Sequence, residues 1–234
     1  ARTDATVDVL CDIDMTGKPW AAVYLDGYSG QARNVTINGN DKKITGLGGA
    51  LVSGVWSNAG VTFKDLTLVG SKVESTGSYA GAFILSTDSC YSITLDNCHV
   101  EGATISSSNY AGGLIGYSSM GSGRVLTITN CSVKDSTISG NGSAGGVIGH
   151  ALGGGNTTAA ITGTTVTGNA ISGEKAAKTG AVMGTVGAGT CELAATVDGN
   201  TLKTVSGDTL VADQILGRAA GGEEALGGGE TADE

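Results

Sequence analysis

A short motif that ends in glycine recurs about every 33 positions along this chain of 234 residues. Four stretches carry it: 110–116 (YAGGLIG), 143–149 (SAGGVIG), 178–184 (KTGAVMG) and 212–217 (ADQILG). Their closing glycines are Gly116, Gly149, Gly184 and Gly217, so the spacing is nearly constant. A fixed period with small insertions is typical of a solenoid, in which each repeat covers the face of the next one. The architecture is therefore much more tightly constrained than the function.

Three apolar positions repeat with the same period between the glycine motifs, and each follows the one before it after a step of five. They form the columns Phe63, Leu95, Ile128, Ile161, then Leu68, Val100, Val133, Val166, then Val73, Ile105, Ile138, Ile171. Such short steps do not suit helical repeats, and the segments are rich in Val, Ile and Thr and broken by Gly, Asn, Asp and Ser, which indicates strands and tight turns. We therefore predict an all-β chain folded as a right-handed parallel β-helix of about six three-strand coils. Equivalent residues on successive coils should lie about 4.8 Å apart.

Composition agrees with this fold, and segments that do not fit the repeat indicate where the solenoid begins and ends. The chain has 41 glycines and one proline, and proline would remove hydrogen bonds from stacked strands. Residues 1–34 contain Trp20, Tyr24, Tyr28 and Pro19, do not fit the repeat and are predicted to form an N-terminal cap. Residues 35–218 are predicted to form the coils. Residues 219–234 read as an acidic, glycine-rich linker, which suggests a module of a longer chain.

Charge and cysteine usage exclude several classes of protein. A net charge of −9 argues against nucleic-acid binding, which needs basic patches, and no run of about 20 apolar residues could span a membrane. The five cysteines are odd in number and do not make a disulfide framework. Cys98 and Cys131 lie one period apart in one column, each after an asparagine. We predict a pair of reduced, buried thiols there, rather than a disulfide or a metal site.

The sequence contains no recognisable catalytic or metal-binding constellation. The two histidines, His99 and His150, follow strand-like residues and are predicted to point to solvent. Serines are so abundant that a serine near a histidine carries no information. Acidic residues do not stack in the facing pairs that glycosidases need. The segment from Asp12 to Gly17 begins like a calcium loop but lacks the closing glutamate. We therefore expect no enzyme activity, no metal and no cofactor.

Several segments carry a family resemblance. Residues 12–20 (DIDMTGKPW) and 35–47 (VTINGNDKKITGL), followed by GGLIG and TITNCSV elements, resemble the GLUG-motif β-helix proteins, a group of bacterial surface proteins with adhesin-type repeats. The early coils depart from the pattern, because Ser53 and Leu85 stand where the closing glycine is expected. The resemblance implies a large secreted or cell-wall-attached bacterial protein, such as an adhesin or surface protease. In such chains the repeats serve as stalks or binding surfaces.

These observations favour a non-catalytic cell-surface or secreted module that spaces or presents a binding face for a host protein or glycan, with immunoglobulins among the host proteins. The alternative is a carbohydrate-active β-helix of the pectate-lyase kind. Such enzymes cluster basic and acidic residues along a groove, whereas this chain is only 15% charged and shows no such cluster.

Three tyrosines are the candidate binding residues. Tyr79 and Tyr110 occupy one column, just before Gly81 and Gly112, and should lie about one coil spacing apart. Tyr117 should lie near them, and its side of the strand depends on whether a bulge interrupts that strand. Aromatic residues on a rigid surface are good anchors because they offer large contact area at low entropic cost. Alternatively, these tyrosines only cover the corners of the coils.

Overall fold

The computed structural model describes residues 4–27, 34–153, 158–187, 190–210 and 214–217. The acidic segment predicted at 219–234 lies outside these residues. In the described part the chain forms short strands and one 3₁₀ turn, Ala176–Lys178. The strands, in chain order, are β1 (Ala5–Asp8), β2 (Ile13–Asp14), β3 (Val23–Asp26), β4 (Asn34–Thr45), β5 (Val52–Trp56), β6 (Gly60–Val69), β7 (Lys72–Ser75), β8 (Tyr79–Ala80), β9 (Ile84–Glu101), β10 (Thr104–Ser107), β11 (Tyr110–Gly112), β12 (Ile115–Thr129), β13 (Ser132–Lys134), β14 (Thr137–Gly140), β15 (Ser143–Gly145), β16 (Ile148–Gly153), β17 (Thr158–Thr167), β18 (Ala170–Gly173), β19 (Thr179–Gly180), β20 (Met183–Val186), β21 (Thr190–Asp198) and β22 (Thr201–Thr204).

The strands stack as a parallel β-solenoid of about six turns, with a period of about 32 residues. The described strands form three sheets of 13, 5 and 4 strands, and each named pair is parallel. Across most of the stack, register partners such as Thr94 and Thr127 lie one period apart in the sequence. The predicted all-β parallel β-helix is therefore confirmed. The right-handed sense stays a prediction, in line with the strong preference of parallel crossovers for that hand.

The three apolar columns form the core, as the sequence predicts. Phe63 pairs in register with Leu95, Leu68 with Val100, and the equivalent residues of the next coils continue each column. The side chains in these columns are at most 3% exposed. Phe63 also meets Phe83 edge to face, with ring centroids 5.2 Å apart. Burying each such side chain contributes roughly 1.5–3 kcal/mol, so the stacked columns account for much of the stability.

Residues in the left-handed conformation turn the chain round two corners of the coils. One corner column consists of Asp65, Asn97, Asn130 and Gly163, whose φ angles lie between 50° and 60°. The second corner column has φ angles between 50° and 67° and consists of Gly70, Gly102, Asp135, Gly168 and Gly199. Glycine, asparagine and aspartate tolerate this conformation better than other residues. This requirement explains the Gly, Asn and Asp positions that interrupt the Val, Ile and Thr segments.

The recurring glycine motif marks the place where consecutive coils pass closest. A Cβ atom added to Gly112 would lie 2.5 Å from the backbone nitrogen of Gly149 on the next coil. A Cβ on Gly149 would lie 2.7 Å from the backbone of Ala111. Only glycine leaves room for these contacts, because real Cβ atoms do not approach backbone so closely.

The first described strands add a coil to the stack, which departs from the prediction that residues 1–34 stand outside the repeat. Strands β1 and β2 pair with β4, and β3 pairs with β5, all in parallel. Most of this coil is exposed. Trp20 ties it to the next coil, since its indole Nε1 donates to the Ala50 carbonyl at 2.7 Å. Its loose match to the repeat reflects shorter spacings at this end, where Ala5 pairs with Val35 and Val35 pairs in turn with Val61.

Cys98 and Cys131 are free, buried thiols in the structure, as predicted. The Sγ atom of Cys98 lies 3.4 Å from the Asp96 carbonyl oxygen, and that of Cys131 lies 3.2 Å from the Thr129 carbonyl oxygen. A hydrogen bond with Cys131, together with burial, raises the pKa of Cys98 well above its usual range. Both side chains are at most 2% exposed, so the pair packs within the core.

None of the helical structure in the described residues is long and apolar enough to cross a lipid bilayer.

Candidate functional site

Two neighbouring columns of residues, one in the four-stranded sheet and one in the 13-stranded sheet, bring four aromatic side chains together. Tyr79 on β8 pairs in register with Tyr110 on β11. On the adjacent wall segment, Tyr117 on β12 pairs in register with His150 on β16. All four side chains are half-buried. We call Tyr79, Tyr117, Tyr110 and His150 the aromatic ladder.

The rings of the aromatic ladder stack nearly parallel to one another. Ring centroids are 4.7 Å apart for Tyr79 and Tyr117, 5.8 Å for Tyr117 and Tyr110, and 4.6 Å for Tyr110 and His150. Interplanar angles in the ladder range from 1° to 22°. Offset stacking at such distances contributes about 0.5–1.5 kcal/mol per pair beyond the burial of area. The ladder is therefore a preorganised surface rather than a set of independent side chains.

The predicted positions of the tyrosines are confirmed, and one member was missed. Tyr79 and Tyr110 occupy successive coils, and Tyr117 stacks on both. His150 was expected to point to solvent, but it stacks on Tyr110 and Tyr117. The sequence did contain a signal, because Tyr117 and His150 each come directly after the closing glycine of their motif and so share a column.

Gly116 places Tyr117 on the outer surface. Ile115, Ser118 and Met120 are all buried, although residues 115 and 118 would lie on opposite faces of a regular strand. The alternation of inward and outward side chains is therefore interrupted between residues 115 and 118. The change occurs at Gly116, where a Cβ atom would lie 2.6 Å from the Leu85 carbonyl oxygen and 2.7 Å from the backbone of Ala80. An undisturbed strand would put Ile115 and Tyr117 on the same face. The irregularity at this glycine thus sends the aromatic ring outward.

His150 lies at the polar end of the ladder. Its Nδ1 atom is hydrogen-bonded to the Thr185 hydroxyl, which in turn lies 3.2 Å from the Ser143 hydroxyl. Among the described residues, the buried Nε2 atom has no hydrogen-bond partner. Burial, and to a lesser degree the positive charge of Lys178, lowers the pKa of His150 below its ordinary value of 6.5.

We expect this pKa shift to make stability depend on pH. Since the folded state disfavours the imidazolium, the unfolded state binds more protons between the folded-state pKa and 6.5, and the free energy of unfolding falls as the pH drops from 6.5 towards the folded-state pKa. Chemical denaturation of wild type and His150→Gln at pH 7.5 and pH 5 measures this effect. The wild type should lose more stability than the variant over that interval. Equal losses would contradict this account.

The packing of the rings limits which parts of the ladder a ligand would meet. The ring centroids of Tyr117 and Tyr110 each lie between 4.6 and 5.9 Å from those of the other ladder members, so the four rings form one compact cluster. A ligand would meet the half-buried rings and the phenolic hydroxyls of this cluster. Such hydroxyls meet polar acceptors and donors of a glycan or a polypeptide, while the rings supply contact area.

Apart from the aromatic ladder, a row of hydrogen-bonded polar side chains joins a serine to a histidine. The His99 Nδ1 atom lies 2.9 Å from the Ser132 hydroxyl, and its Nε2 atom lies 3.0 Å from Asn97 Oδ1. The Asn97 amide nitrogen then donates to Asp65 Oδ1 at 2.7 Å. The acceptor at Nε2 favours the tautomer that leaves Nδ1 free to accept the Ser132 proton. Sequence reasoning missed this row, because serine and histidine become neighbours only across stacked coils.

Within the described residues, no group of three or more His, Cys, Asp or Glu side chains is arranged to hold a metal ion. The segment that begins like a calcium loop uses its carboxylates otherwise. Asp12 accepts a hydrogen bond from the Lys43 backbone nitrogen at 2.9 Å, and Asp14 accepts one from the Thr16 backbone nitrogen at 2.9 Å.

Comparison with known proteins finds no matching family model and no matching curated protein. Among solved structures, the chain is similar to a protein from Bacteroides ovatus described as a "putative immunoglobulin A1 protease". The two share 15% sequence identity with a TM-score of 0.47, over 94% of this chain and 78% of the other.

Proposed function

We propose that this chain is a non-catalytic β-helix module of a bacterial surface protein of the GLUG-motif kind. The module is secreted or attached to the cell wall and presents a binding face to a host protein or a glycan. The aromatic ladder carries this proposal, because it is the largest stacked aromatic cluster among the described residues and is half-exposed on a rigid wall. The net charge of −9 makes nucleic acid a poor partner.

The rigidity of the wall supports a binding role for the ladder. Tyr79 and Tyr110 stand on strands whose backbone is paired on adjacent coils, so a ligand would meet side chains that are already ordered. Binding to such a surface costs less conformational entropy than binding to mobile loops. Tyrosine-rich surfaces are also typical of recognition sites for proteins.

The test is a double substitution, Tyr79→Ala with Tyr110→Ala, assayed on a glycan array and on a panel of host serum proteins that includes immunoglobulins. Partners found with the wild type should bind the double variant about 10-fold more weakly or worse, since two aromatic anchors together contribute about 2 kcal/mol or more. Tyr91→Ala is the matched control, because Tyr91 is 44% exposed and lies outside the ladder. A double variant that stays folded and binds as tightly as wild type contradicts the proposal. Product release from any glycan would favour the carbohydrate-active alternative.

Serine-hydrolase chemistry at Ser132 is a second candidate function, favoured by the hydrogen-bonded row from Ser132 through His99 and Asn97 to Asp65. An acyl-transfer enzyme also needs donors for the oxyanion. Strand β13, which carries Ser132, is paired with β9 on one side and β17 on the other, so its backbone amides serve the sheet. The row is better explained as a ladder of side chains that stabilises the corner.

Labelling with a fluorophosphonate probe decides between these two readings of Ser132. We expect no labelling of the wild type above the level of Ser132→Ala, because a serine without an oxyanion site reacts slowly even beside a histidine. Stoichiometric labelling that is lost in both Ser132→Ala and His99→Gln would instead identify a hydrolase.

A further inference from the structure

A second aromatic cluster lies near the N-terminal end of the wall that carries Tyr117. Tyr24 on β3 and Trp56 on β5 are 54% and 38% exposed, and their ring centroids are 6.2 Å apart at an angle of 46°. Tyr24 pairs in register with Gly54. A Cβ atom on Gly54 would lie 2.8 Å from the Tyr24 ring and 2.9 Å from Trp56 Nε1. The glycine therefore leaves room for both rings to lie close over the strand.

Two carboxylates flank this pair in the same column. Asp26 on β3 pairs in register with Trp56, and Trp56 pairs in register with Asp88 on β9. Successive coils therefore present the order Asp26, Trp56, Asp88. Burial raises the pKa of Tyr24, and the charges of Asp26 and Asp88 raise it further.

Neither carboxylate forms an ion pair with another described residue. Asp26 Oδ1 is buried and has no hydrogen-bond partner among the described residues. Asp88 Oδ1 accepts a hydrogen bond from the Ser89 hydroxyl at 3.0 Å. The ion pairs found in the described ranges join Lys72 to Glu74, Lys134 to Asp135, and Lys178 to Glu174. Because Asp26 Oδ1 is buried, an external donor would have to meet the remaining carboxylate oxygens of these two half-buried side chains, whose charges no described cation neutralises.

The same protein already holds one guanidinium on an aromatic ring. Arg124 lies over Tyr91, with its central carbon 4.6 Å from the ring centroid, and donates to Asn58 Oδ1 at 3.3 Å. Arg124 is therefore occupied, but its geometry shows how a planar cation can use a tyrosine face and a neighbouring side-chain oxygen on this surface. Tyr24 and Trp56 offer exposed faces of the same kind, with carboxylates in place of the amide.

We infer that Tyr24, Trp56, Asp26 and Asp88 form a subsite for a basic side chain of a partner protein, with arginine preferred to lysine. The rings attract the cation through their quadrupoles, and the carboxylates supply charge-assisted hydrogen bonds. A guanidinium fits better than an ammonium because it is planar and donates in a fork. The inference rests on the proposed function, because it assumes that the module binds a protein. The subsite itself is separate from the aromatic ladder.

The probe is the blocked tripeptide acetyl-Gly-Arg-Gly-amide, titrated into the full chain at low ionic strength while the indole N–H resonances are followed by ¹⁵N NMR. The Trp56 resonance is identified by its absence in Trp56→Phe. It should shift saturably with a dissociation constant on the order of millimolar, as expected for one side chain. Trp20, whose indole donates to the Ala50 carbonyl, is the internal reference and should not shift. The same tripeptide with citrulline in place of arginine is neutral but of the same shape. It should bind about 10-fold more weakly.

Substitutions separate this subsite from the ladder. Asp88→Asn and Asp26→Asn should each weaken binding of the arginine peptide about 3-fold or more, whereas Asp41→Asn, an exposed carboxylate elsewhere, should not change it. The Tyr79→Ala and Tyr110→Ala double variant should keep full binding, so failure of the ladder and failure of the subsite give different results. The inference is overturned if the Trp56 resonance does not shift, if the citrulline peptide binds equally well, or if tetramethylammonium saturates the site while the arginine peptide does not.

Discussion

Replacing Gly149 by alanine is expected to lower the free energy of unfolding by on the order of 3–5 kcal/mol, although only one methyl group is added. The new Cβ atom would lie 2.6 Å from the Gly116 carbonyl oxygen and 2.7 Å from the backbone nitrogen and carbonyl carbon of Ala111. These are backbone atoms of the preceding coil, and they cannot rotate away as a side chain could. The coils must separate locally, which disrupts the close packing of Gly149 against Gly116 and Ala111.

Urea denaturation followed by circular dichroism measures this loss. Gly48→Ala is the matched control, because a Cβ atom at Gly48 meets nothing within 4 Å and its φ angle is not in the left-handed region. The control should change stability by less than about 0.5 kcal/mol. If both variants lose the same amount, glycine in the motif is not required by the close passage of the coils.

Replacing Asn169 by alanine is expected to cost about 3–5 kcal/mol, because the side chain satisfies three buried partners at a corner of the coil. Its Oδ1 atom accepts from the Ser136 backbone nitrogen at 2.8 Å. Its Nδ2 atom donates to the Val133 carbonyl at 2.9 Å and to Asn200 Oδ1 at 2.9 Å. Asn169 is 1% exposed, so water cannot easily replace these hydrogen bonds when the amide is removed.

The matched control for Asn169 is Asn141→Ala, at an exposed position in a turn between β14 and β15. Thermal and urea unfolding of both variants gives the comparison, and the control should lie within about 0.5 kcal/mol of wild type. An Asn169→Ala variant as stable as the control would show that the buried amide network contributes nothing. Asn169→Gln tests shape separately: it keeps the amide but lengthens the side chain, and should restore only part of the lost stability.

Much of the fold could be predicted from the sequence because every coil of the solenoid repeats the same local structure. The columns that begin at Phe63, Leu68 and Val73 stack in the predicted register and fill the core. A period-based alignment succeeds where every coil must place the same kind of side chain at the same wall. It failed for the first coil, where residues 5–26 join the stack at spacings that differ from those of the later coils. Core packing tolerates such changes in loop length, whereas pattern matching does not.

The candidate sites could be predicted from the sequence only in part. Tyr79 and Tyr110 could be placed on neighbouring coils from their column alone, and the structure stacks them at 5.9 Å. The side on which Tyr117 emerges could not be predicted, since it depends on a change of parity at Gly116. The Tyr24 and Trp56 pair escaped notice for a related reason. Tyr24 and Asp26 lie in the segment predicted as a cap, so no register links them to Trp56, although Trp56 and Asp88 lie one period apart within the predicted coils.

The sequence alone determined the solenoid, its period, its buried columns and the glycine motif, because these follow from local propensity and from one pattern repeated along the chain. Only the tertiary structure decided which outward side chains meet. The stack of His150 on Tyr110, the row from Ser132 to Asp65, and the carboxylates beside Trp56 all join residues on different coils. The physical reason is that the hydrophobic pattern specifies the inward face of each coil. The outward face instead depends on bulges, corners and coil-to-coil register, which the complete stack sets.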